Sequence, residues 1–281
     1  MIWVVGAGGL LGSSLKKKAY LATTRQEADV SDLDSLWKIA KAHPEISHMI
    51  NASAFSQVDL AEEQKEKAYQ VNALGPKFLA EIAGEIGAKF VHISTDYVFD
   101  GKKEFPLTEE DETIPCNYYG WSKLEGEKGL FSILPQATVI RTSWIFGKGG
   151  KSFVARMIEQ LMNEKELFLT NDQWGRATFV EDLAKAIFQM LDTPGLYHFA
   201  GEGVTTRYQF ACAMKNEMER LKMPMKATQL FPVPGSHFIC PAKRPKYSAL
   251  ATDKIEKIIG PIRPWKEGLQ EFLEEICDAH T

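Results

Sequence analysis

A tyrosine and a lysine four residues apart are the side chains best placed for chemistry in this 281-residue sequence. Tyr119 and Lys123 fall on one predicted helix, where a spacing of four puts both on the same face. A free tyrosine has a pKa of about 10, and a nearby ammonium is expected to lower it. The pair therefore predicts a phenol that exchanges a proton with a substrate near neutral pH.

A threonine extends this pair to three residues. Thr95 ends a predicted strand, at the edge of the sheet where a ligand is expected, and its hydroxyl can donate to a carbonyl oxygen. A tyrosine and a lysine four apart are common by chance, and a hydroxyl at a strand end is often only a local hydrogen-bond partner. The three positions together predict a catalytic site.

A glycine-rich segment, residues 6–12, joins the first predicted strand to the first predicted helix. Gly6 allows a tight turn, Gly9 lets a pyrophosphate approach the backbone, and Gly12 allows the helix to pack closely on the sheet. The helix then offers free N–H groups at Leu10 and Leu11 to the phosphates. In this strand-to-helix context the segment predicts a dinucleotide-binding loop and not a plain turn.

The residues that choose between NAD and NADP follow the second predicted strand. An acid on the ribose 2′-hydroxyl is expected about 20 residues beyond the glycines, which selects Glu27 or Asp29 by count. Arg25, at the end of that strand, offers instead a guanidinium for a 2′-phosphate. We expect NADPH, with NADH as the alternative, and place Asp29 and Val30 near the adenine. The other interpretation of Arg25 is a solvated surface side chain.

Strands and helices alternate through the first half of the chain. Apolar runs predict strands at residues 2–5, 20–23, 48–53, 89–94 and 138–142. Helices are predicted through residue 18, from a cap at Asp32 to about 42, and at 68–86, 118–130, 152–163, 180–191, 207–221 and 265–277. This order predicts an α/β fold, a Rossmann-type doubly wound parallel sheet with a smaller C-terminal substrate-binding part.

The domain boundary is predicted where the alternation loosens. Residues 1–146 are expected to form the cofactor-binding domain, and the chain is expected to return to it around residues 171–199. Residues 147–281 are expected to form most of the substrate-binding part. Within it, the proline-rich residues 223–245 are predicted to be a long ordered loop.

Composition and charge exclude several functions. The net charge is −4 with no basic stripe, so a nucleic acid partner is not expected. The four cysteines and six histidines do not cluster, so no metal is predicted. No apolar run is long enough to span a bilayer, and the first strand begins at Ile2, without a signal peptide. We therefore expect a cytoplasmic protein without membrane partners.

Several stretches in order along the chain carry a family resemblance. They include Ser-Thr-Asp-Tyr-Val-Phe-Asp-Gly at 94–101 and Tyr-Gly-Trp-Ser-Lys-Leu-Glu-Gly-Glu at 119–127. The others are residues 51–59, 68–72, 141–144, 172–178 and 244–245. In these the chain resembles the extended short-chain dehydrogenases, and among them the dTDP-4-dehydrorhamnose reductase family.

The resemblance implies hydride transfer from a nicotinamide to the 4-keto group of a nucleotide-activated deoxysugar. Thr95, Tyr119 and Lys123 match the family's catalytic residues, with Lys123 also binding the nicotinamide ribose. The implied lining of the cofactor crevice consists of Asn51, Ala52 and Ser53, and the implied substrate neighbours, besides Thr95, are Val58, Asp96, Tyr97 and Trp144. Arg244 would meet the diphosphate, its alternative role being a loop ion pair.

Two positions depart from the family pattern. Ser13 and Ser14 stand where some members carry an acid for a metal at a dimer interface, so a monomer or weak homodimer is expected. Ala177 replaces the usual proline before Thr178. Two other functions stay open. One is a non-catalytic NADP-binding subunit like the regulatory subunit of methionine adenosyltransferase. The other is a sugar-nucleotide dehydratase or epimerase, although the dehydratases' second acid is replaced by Tyr97.

Overall fold

The computed structural model describes residues 1–149 and 152–278. Its centre is a six-stranded parallel sheet in the order β10-β5-β4-β3-β1-β2. These strands are β1 (Ile2–Val5), β2 (Leu21–Thr23), β3 (His48–Asn51), β4 (Lys89–Thr95), β5 (Thr138–Thr142) and β10 (Gly195–Phe199). The chain reverses its direction across the sheet between β1 and β3, and ligands of such sheets bind beyond the strand ends at that point.

Helices cover both faces of the sheet and form the rest of the molecule. They are α1 (Leu10–Leu15), α2 (Leu33–Ala42), α3 (Val58–Glu63), α4 (Lys65–Tyr69), α5 (Gly75–Glu85), α6 (Tyr118–Ile133), α7 (Phe153–Asn163), α8 (Val180–Gln189), α9 (Arg207–Arg220), α10 (Asp253–Ile259) and α11 (Trp265–Asp278). A π-helical turn, Gln70–Leu74, joins α4 to α5, so the predicted helix 68–86 is one continuous rod with a local widening.

Alternate residues of the strands pack against opposite helical layers. Trp3 and Val5 of β1 lie in a core with residues of α2 and α5, whereas Val4 lies in the core formed with α1 and α8. This two-residue period is what a sheet buried on both faces requires. Both faces are apolar, so the polar groups of the chain collect at the strand ends.

The C-terminal half builds its own apolar cluster. Phe146, Phe210, Trp265 and Phe272 lie at its centre, and their rings pack at centroid distances of 5.0–5.9 Å. Three two-stranded ladders border it: β6 (Ile145–Phe146) with β9 (Thr178–Phe179), β7 (Glu166–Thr170) with β12 (Gln229–Val233), and β8 (Trp174–Gly175) with β11 (Thr205–Thr206). This cluster supports the wall that faces the sheet's strand ends.

The Rossmann-type fold class predicted from the sequence is confirmed, with local corrections. The prediction of an uninterrupted loop at 223–245 is wrong, because β12 forms there and pairs in parallel with β7. The pattern also did not predict β7, β10, α3 or α10. Residues 150, 151 and 279–281 of the predicted C-terminal part lie outside the described residues. Within the described chain, no helix has the length and apolar character needed to span a membrane.

Candidate active site

One cleft of about 2100 Å³ runs along the C-terminal ends of the strands. Its walls come from the loops after β1, β3, β4 and β5, and from α7, α9 and the segment after β12. The predicted site residues that line it are Gly6, Gly9, Leu10, Leu11, Arg25, Asp29, Val30, Ala52, Ser53, Val58, Thr95, Asp96, Tyr97, Tyr119, Lys123, Trp144 and Arg244. The structure thus brings together segments up to 238 residues apart in the sequence, from Gly6 to Arg244.

The glycine loop has the geometry its sequence predicts. Gly6 adopts φ +86°, and the N–H groups of Gly6 and Ala7 donate to the Thr23 carbonyl at 3.0 and 2.9 Å. A Cβ on Gly12 would lie 2.1 Å from the Gly6 carbonyl oxygen, so only glycine permits this approach. Gly12 does not line the cleft; it lies behind the wall, at the close approach of helix and strand that the sequence predicts for it.

Asn51 is also behind the wall. It is fully buried at the end of β3 and its Oδ1 accepts from the Ser53 N–H at 3.0 Å and the Ser53 hydroxyl at 2.6 Å. The expectation that Asn51 lines the crevice is therefore wrong; it shapes the loop that presents Ala52 and Ser53. Asn72, in the π-helical turn, holds the same loop through both main-chain groups of Phe55, at 2.8 and 3.1 Å.

The amino group of Lys123 is held by residues of β4. Its Nζ donates to the Ile93 carbonyl at 2.7 Å and lies 3.2 Å from His92 Nε2, while Asn51 Nδ2 lies 3.1 Å from His92 Nδ1. Burial lowers the pKa of Lys123 to about 8, and burial followed by the charge of Lys123 lowers the pKa of His92 well below its usual value. His92 is therefore neutral, and the amine is held close to its titration range at neutral pH.

Tyr119 stands in the cleft wall beside Thr95. Loss of water around the phenol raises its pKa above the usual value, although the hydrogen bond with Thr95 acts in the opposite direction. Among the influences of the protein's own groups on this pKa, desolvation is the largest. The expectation that Lys123 lowers the pKa of Tyr119 is therefore wrong. The raised pKa keeps the phenol protonated at neutral pH, which is the form that a general acid needs, although proton transfer is most efficient when the pKa lies near the working pH.

Asp96 and Tyr97 follow Thr95 in a short 3₁₀ turn, Asp96–Val98. Asp96 is buried, accepts from the hydroxyls of Ser248 at 2.6 Å and Thr95 at 3.1 Å, and burial raises its pKa to about 6. The Tyr97 ring meets the Tyr119 ring edge-on at 5.9 Å, and burial raises the pKa of Tyr97 to about 12. Asp96 thus fixes the substrate-side wall rather than standing free in it.

The ionisation of Asp96 should leave a signature in stability. Its folded-state pKa, about 6, exceeds the ordinary 3.8, so its ionisation opposes folding progressively as pH rises through that interval. Asp96→Asn cannot ionise. Between pH 4 and pH 7 we expect the variant to gain about 2 kcal/mol of unfolding free energy relative to wild type. Urea unfolding at the two pH values measures this.

Asp100→Asn is the matched control. Its hydrogen bonds with Lys102 lower the pKa of Asp100, so the wild-type carboxylate favours folding at pH 7 and loses this effect as pH falls. That variant should shift in the opposite direction. Equal pH dependence of wild type and Asp96→Asn would contradict the assignment.

Arg244 is already paired within the protein. Its two terminal nitrogens reach the two carboxylate oxygens of Asp59 at 2.5 and 2.6 Å, and one also donates to the Ala242 carbonyl at 2.6 Å. The bidentate pair raises the pKa of Arg244 and lowers that of Asp59. The loop ion pair that the sequence left open as an alternative is thus present, at the mouth of the cleft.

Behind the catalytic wall lies a buried ion pair. Glu127 and Arg141 are each only 4% exposed, with Arg141 Nη2 2.7 Å from Glu127 Oε2 and Nε 3.0 Å from Oε1. The Ser94 hydroxyl donates to the same carboxylate. This pair ties α6, which carries Tyr119 and Lys123, to β4 and β5. Among residues 1–149 and 152–278 there is no group of three histidine, cysteine or acidic side chains arranged to hold a metal.

Comparison with known proteins places these features in a family. The family model described as RmlD substrate binding domain matches residues 1–277. Spore coat polysaccharide biosynthesis protein SpsK of Bacillus subtilis is 35% identical, covering 99% of this chain and 98% of that protein. The dTDP-4-dehydrorhamnose reductase of Mycolicibacterium smegmatis is 34% identical, covering 100% of this chain and 87% of that protein.

Solved structures agree. A dTDP-4-dehydrorhamnose reductase from Clostridium acetobutylicum superposes with a TM-score of 0.89 at 35% identity, covering 98% of this chain and 99% of that one. The Bacillus anthracis enzyme, solved in complex with NADP, gives a TM-score of 0.91 at 30% identity, with 98% of each chain covered. A UDP-glucose 4-epimerase from Thermotoga maritima, 18% identical with a TM-score of 0.80, shares the fold.

The sheet, the glycine loop and the cleft define an extended short-chain dehydrogenase. Within that class the chain belongs to the dTDP-4-dehydrorhamnose reductase family. The predicted resemblance is thereby confirmed, as is the prediction of an NADP-linked oxidoreductase at the level of this family.

Four residues that shape the site were not predicted from the sequence: Asn72, His92, Glu127 and Arg207. The Arg207 guanidinium lines the cleft and packs on the rings of Trp144 and Phe153. Asn72 and Glu127 lie inside stretches that carried the family resemblance, so a signal for them existed. His92 occupies an alternating position of a buried strand, where a polar residue requires a partner, and Lys123 is that partner. Arg207 had no signal, because its environment is assembled from three distant segments.

Proposed function

We propose that this protein uses NADPH to reduce the 4-keto group of a nucleotide-activated deoxysugar, with dTDP-4-dehydrorhamnose as the expected substrate. The observation that carries the proposal is the meeting of Thr95 and Tyr119 with the glycine loop in one cleft. A cofactor seated on the loop would extend along the strand ends toward these two hydroxyls.

The cleft fits a dinucleotide at its glycine end. A Cβ on Gly9 would meet only the Gly6 carbonyl at 3.5 Å, and one on Gly8 only Thr24 Cγ2 at 3.8 Å, so the loop presents bare backbone to open space. Ala52 and Ser53 form the facing wall, and Arg25, Asp29 and Val30 border the far end. When bound, NADPH supplies the hydride to the sugar carbon.

Residues of the chain then bind the carbonyl oxygen of the sugar and supply its proton. When the substrate binds, the Thr95 hydroxyl would turn its proton from Asp96 Oδ1 to the carbonyl oxygen. Tyr119 gives its proton to that oxygen as negative charge develops. Lys123, with a pKa near 8, binds the nicotinamide ribose and can return a proton toward the phenol. Val58, Tyr97 and Trp144 border the sugar. Tyr119, Thr95 and the glycine loop all line the same cleft, which supports these roles.

The domain assignment is part of this proposal. Residues 1–146 would supply the cofactor loops and the catalytic residues, and the chain would return through residues 171–199, where β10 joins the main sheet. Most of the remaining C-terminal residues would close over the sugar nucleotide. We expect a monomer or weak homodimer.

The test is NADPH oxidation with a panel of 4-keto sugar nucleotides that differ in base and sugar. Turnover of dTDP-4-dehydrorhamnose to dTDP-rhamnose is the expected result. Tight NADPH binding without turnover of any member of the panel would favour the non-catalytic regulatory subunit. Formation of a 4-keto-6-deoxy product from dTDP-glucose and NAD⁺ would instead indicate a dehydratase.

The choice of NADPH over NADH rests on Arg25. Its side chain is 63% exposed and bonds Asp29 at 2.9 Å, so it is held at the cleft edge but remains open to a phosphate. We expect Arg25→Ala to weaken NADPH binding by about 1.5–3 kcal/mol and NADH binding little. Fluorescence titration with both cofactors measures this. Arg25→Lys, which keeps the charge, should retain part of the preference; equal weakening of both cofactors would remove Arg25 from the 2′-phosphate site.

A further inference from the structure

The side-chain amide of Asn51 has a fixed orientation at the end of β3. Its Oδ1 accepts from the Ser53 main-chain N–H at 3.0 Å and from the Ser53 hydroxyl at 2.6 Å. A main-chain N–H can only donate, so turning the amide over would place two donors against each other. Nδ2 of Asn51 therefore faces β4, where it lies 3.1 Å from Nδ1 of the fully buried His92.

This contact decides which ring nitrogen of His92 carries the proton. The Asn51 NH₂ group can only donate, so Nδ1 of His92 must present its lone pair. Burial, followed by the charge of Lys123, lowers the pKa of His92 well below its usual value, so the imidazole is neutral and has one ring proton. That proton is on Nε2, which lies 3.2 Å from Nζ of Lys123. The imidazole thus presents a donor to the lysine, and not an acceptor.

The donor on His92 favours the amine form of Lys123. An amine has a lone pair that can accept from Nε2, whereas an ammonium has none. The Ile93 carbonyl accepts from Nζ at 2.7 Å in either form and does not distinguish them. For His92 to accept from an ammonium, its proton would have to move to Nδ1, where it would meet the Asn51 amide. Protonation of Lys123 therefore costs one buried hydrogen bond.

Burial and the charge of Glu127 also act on the proton affinity of Lys123. Burial lowers the pKa of Lys123 to about 8, and Glu127, one turn along α6, acts in the opposite direction. Glu127 is paired with Arg141 of β5 at 2.7 Å, which balances much of its charge. The hydrogen bond from His92 acts in the same direction as burial.

The elements packed against α6 carry further titratable groups. On the cleft side these are Tyr119 of α6 itself, and Asp96 and Tyr97 of the 3₁₀ turn after β4, which act on the pKa of Tyr119. The charged groups of α3, α4 and α5 contact other parts of α6: Glu62 accepts from the Tyr118 N–H, Lys65 lies over the Tyr118 ring, and Lys77 packs against Gly129. The proton affinity of Lys123 is therefore set mainly by burial, Glu127 and His92.

We propose that Asn51 and His92 are positioning residues that favour the amine form of Lys123 and so let it exchange a proton during turnover. The inference rests on the proposed function and adds to it. After Tyr119 has given its proton to the sugar alkoxide, Lys123 gives a proton from Nζ to the phenolate and is left as an amine. The amine accepts from His92 Nε2, so this step gains a hydrogen bond that the ammonium lacks. Lys123 then regains a proton from solvent water.

The tautomer of His92 can be measured in the whole protein without cofactor. Proton–nitrogen correlation NMR spectra distinguish a protonated ring nitrogen from one with a lone pair, and His92→Leu identifies the signals of this residue. At pH 9, above the pKa of Lys123, we expect a neutral His92 protonated on Nε2. A proton on Nδ1, or on both nitrogens, would overturn the proposal.

Asn51→Asp should reverse the tautomer. The new carboxylate keeps both Ser53 donors, which favour its ionised form, but beside Nδ1 it can only accept. His92 should then carry its proton on Nδ1 and accept from the Lys123 ammonium through Nε2. The midpoint of the Lys123 titration, followed by the NMR signal of its Cε, should therefore rise.

The same substitution in a His92→Leu protein is the matched control, because only the added charge of the carboxylate then acts on Lys123. The rise in the midpoint should be larger by about one pH unit when His92 is present, the equivalent of one hydrogen bond. Equal rises in the two proteins would show that the imidazole does not link Asn51 to Lys123.

Turnover distinguishes this proposal from the proposed function. If Lys123 returns the proton, kcat should fall at high pH as Lys123 loses it, and in Asn51→Asp this fall should move to higher pH together with the NMR midpoint. A fall that does not move would refute the role in turnover. The expected tautomers in a protein that reduces no 4-keto sugar would support the assignment of His92 and refute the proposed function. Turnover by a protein with its His92 proton on Nδ1 would do the reverse.

Discussion

Tyr119→Phe should lower kcat about 10²–10⁴-fold, the range that general acid catalysis contributes. The substitution keeps the ring and its edge-on contact with Tyr97 at 5.9 Å, and removes only the hydroxyl that Thr95 bonds. Cofactor affinity should change little, because the glycine loop and Lys123 lie outside the altered group. Steady-state NADPH oxidation and a separate NADPH titration give the two values.

Tyr118→Phe is the internal control for this prediction. Tyr118 is the neighbouring residue on α6, but its ring packs on Trp121 at 5.0 Å and beneath the Lys65 ammonium, away from the cleft. This variant should keep full activity. A dead Tyr118→Phe beside an active Tyr119→Phe would show that the wrong tyrosine has been assigned. Loss of NADPH binding in Tyr119→Phe would show that the hydroxyl serves the cofactor instead of the substrate.

Breaking the buried ion pair should give the largest change in stability. Arg141→Met leaves Glu127 charged and unpaired in a site only 4% exposed, which costs about 3–5 kcal/mol. The Ser94 hydroxyl remains as a partner but carries no charge. Urea unfolding should show the loss as a lower midpoint with an unchanged slope, since the area exposed on unfolding stays similar.

The double variant Glu127→Leu with Arg141→Met separates pairing from burial. Replacing both partners of a buried pair with apolar residues is often close to neutral, because two desolvated charges disappear together. We therefore expect the double variant to be more stable than Arg141→Met alone. If the two substitutions instead destabilise additively, the pair contributes by packing and not by charge.

Much of the cofactor region follows from local rules that a sequence displays. Gly6 and Gly12 stand where a positive φ and a close backbone approach leave no room for a Cβ. Asp32 caps α2 through its side chain, as its position before an apolar run predicts. In a parallel sheet the carboxyl ends of the strands share one edge, so the fold predicts that Thr95 and the glycine loop lie close together.

The family pattern predicted more of the site than residue spacing alone. Tyr119 and Lys123 share a helix face by their four-residue separation, and the flanking motif distinguished them from a chance pair. The roles of these residues, and of those at the substrate end, stay predictions until the variants are measured.

What the tertiary structure decided was the environment of each group. Tyr119 has a raised pKa because water is excluded around its phenol, a quantity that no local pattern contains. The ladder between β7 and β12 joins segments more than sixty residues apart, so the sequence of neither strand indicates which strand it pairs with. Arg244 pairs with Asp59, which is 185 residues away in the sequence, so the carboxylate balances its charge. The guanidinium of Arg207 instead packs against two aromatic rings. Side-chain chemistry is set by residue type, but which charge is left for a ligand depends on every neighbour that folding brings to it.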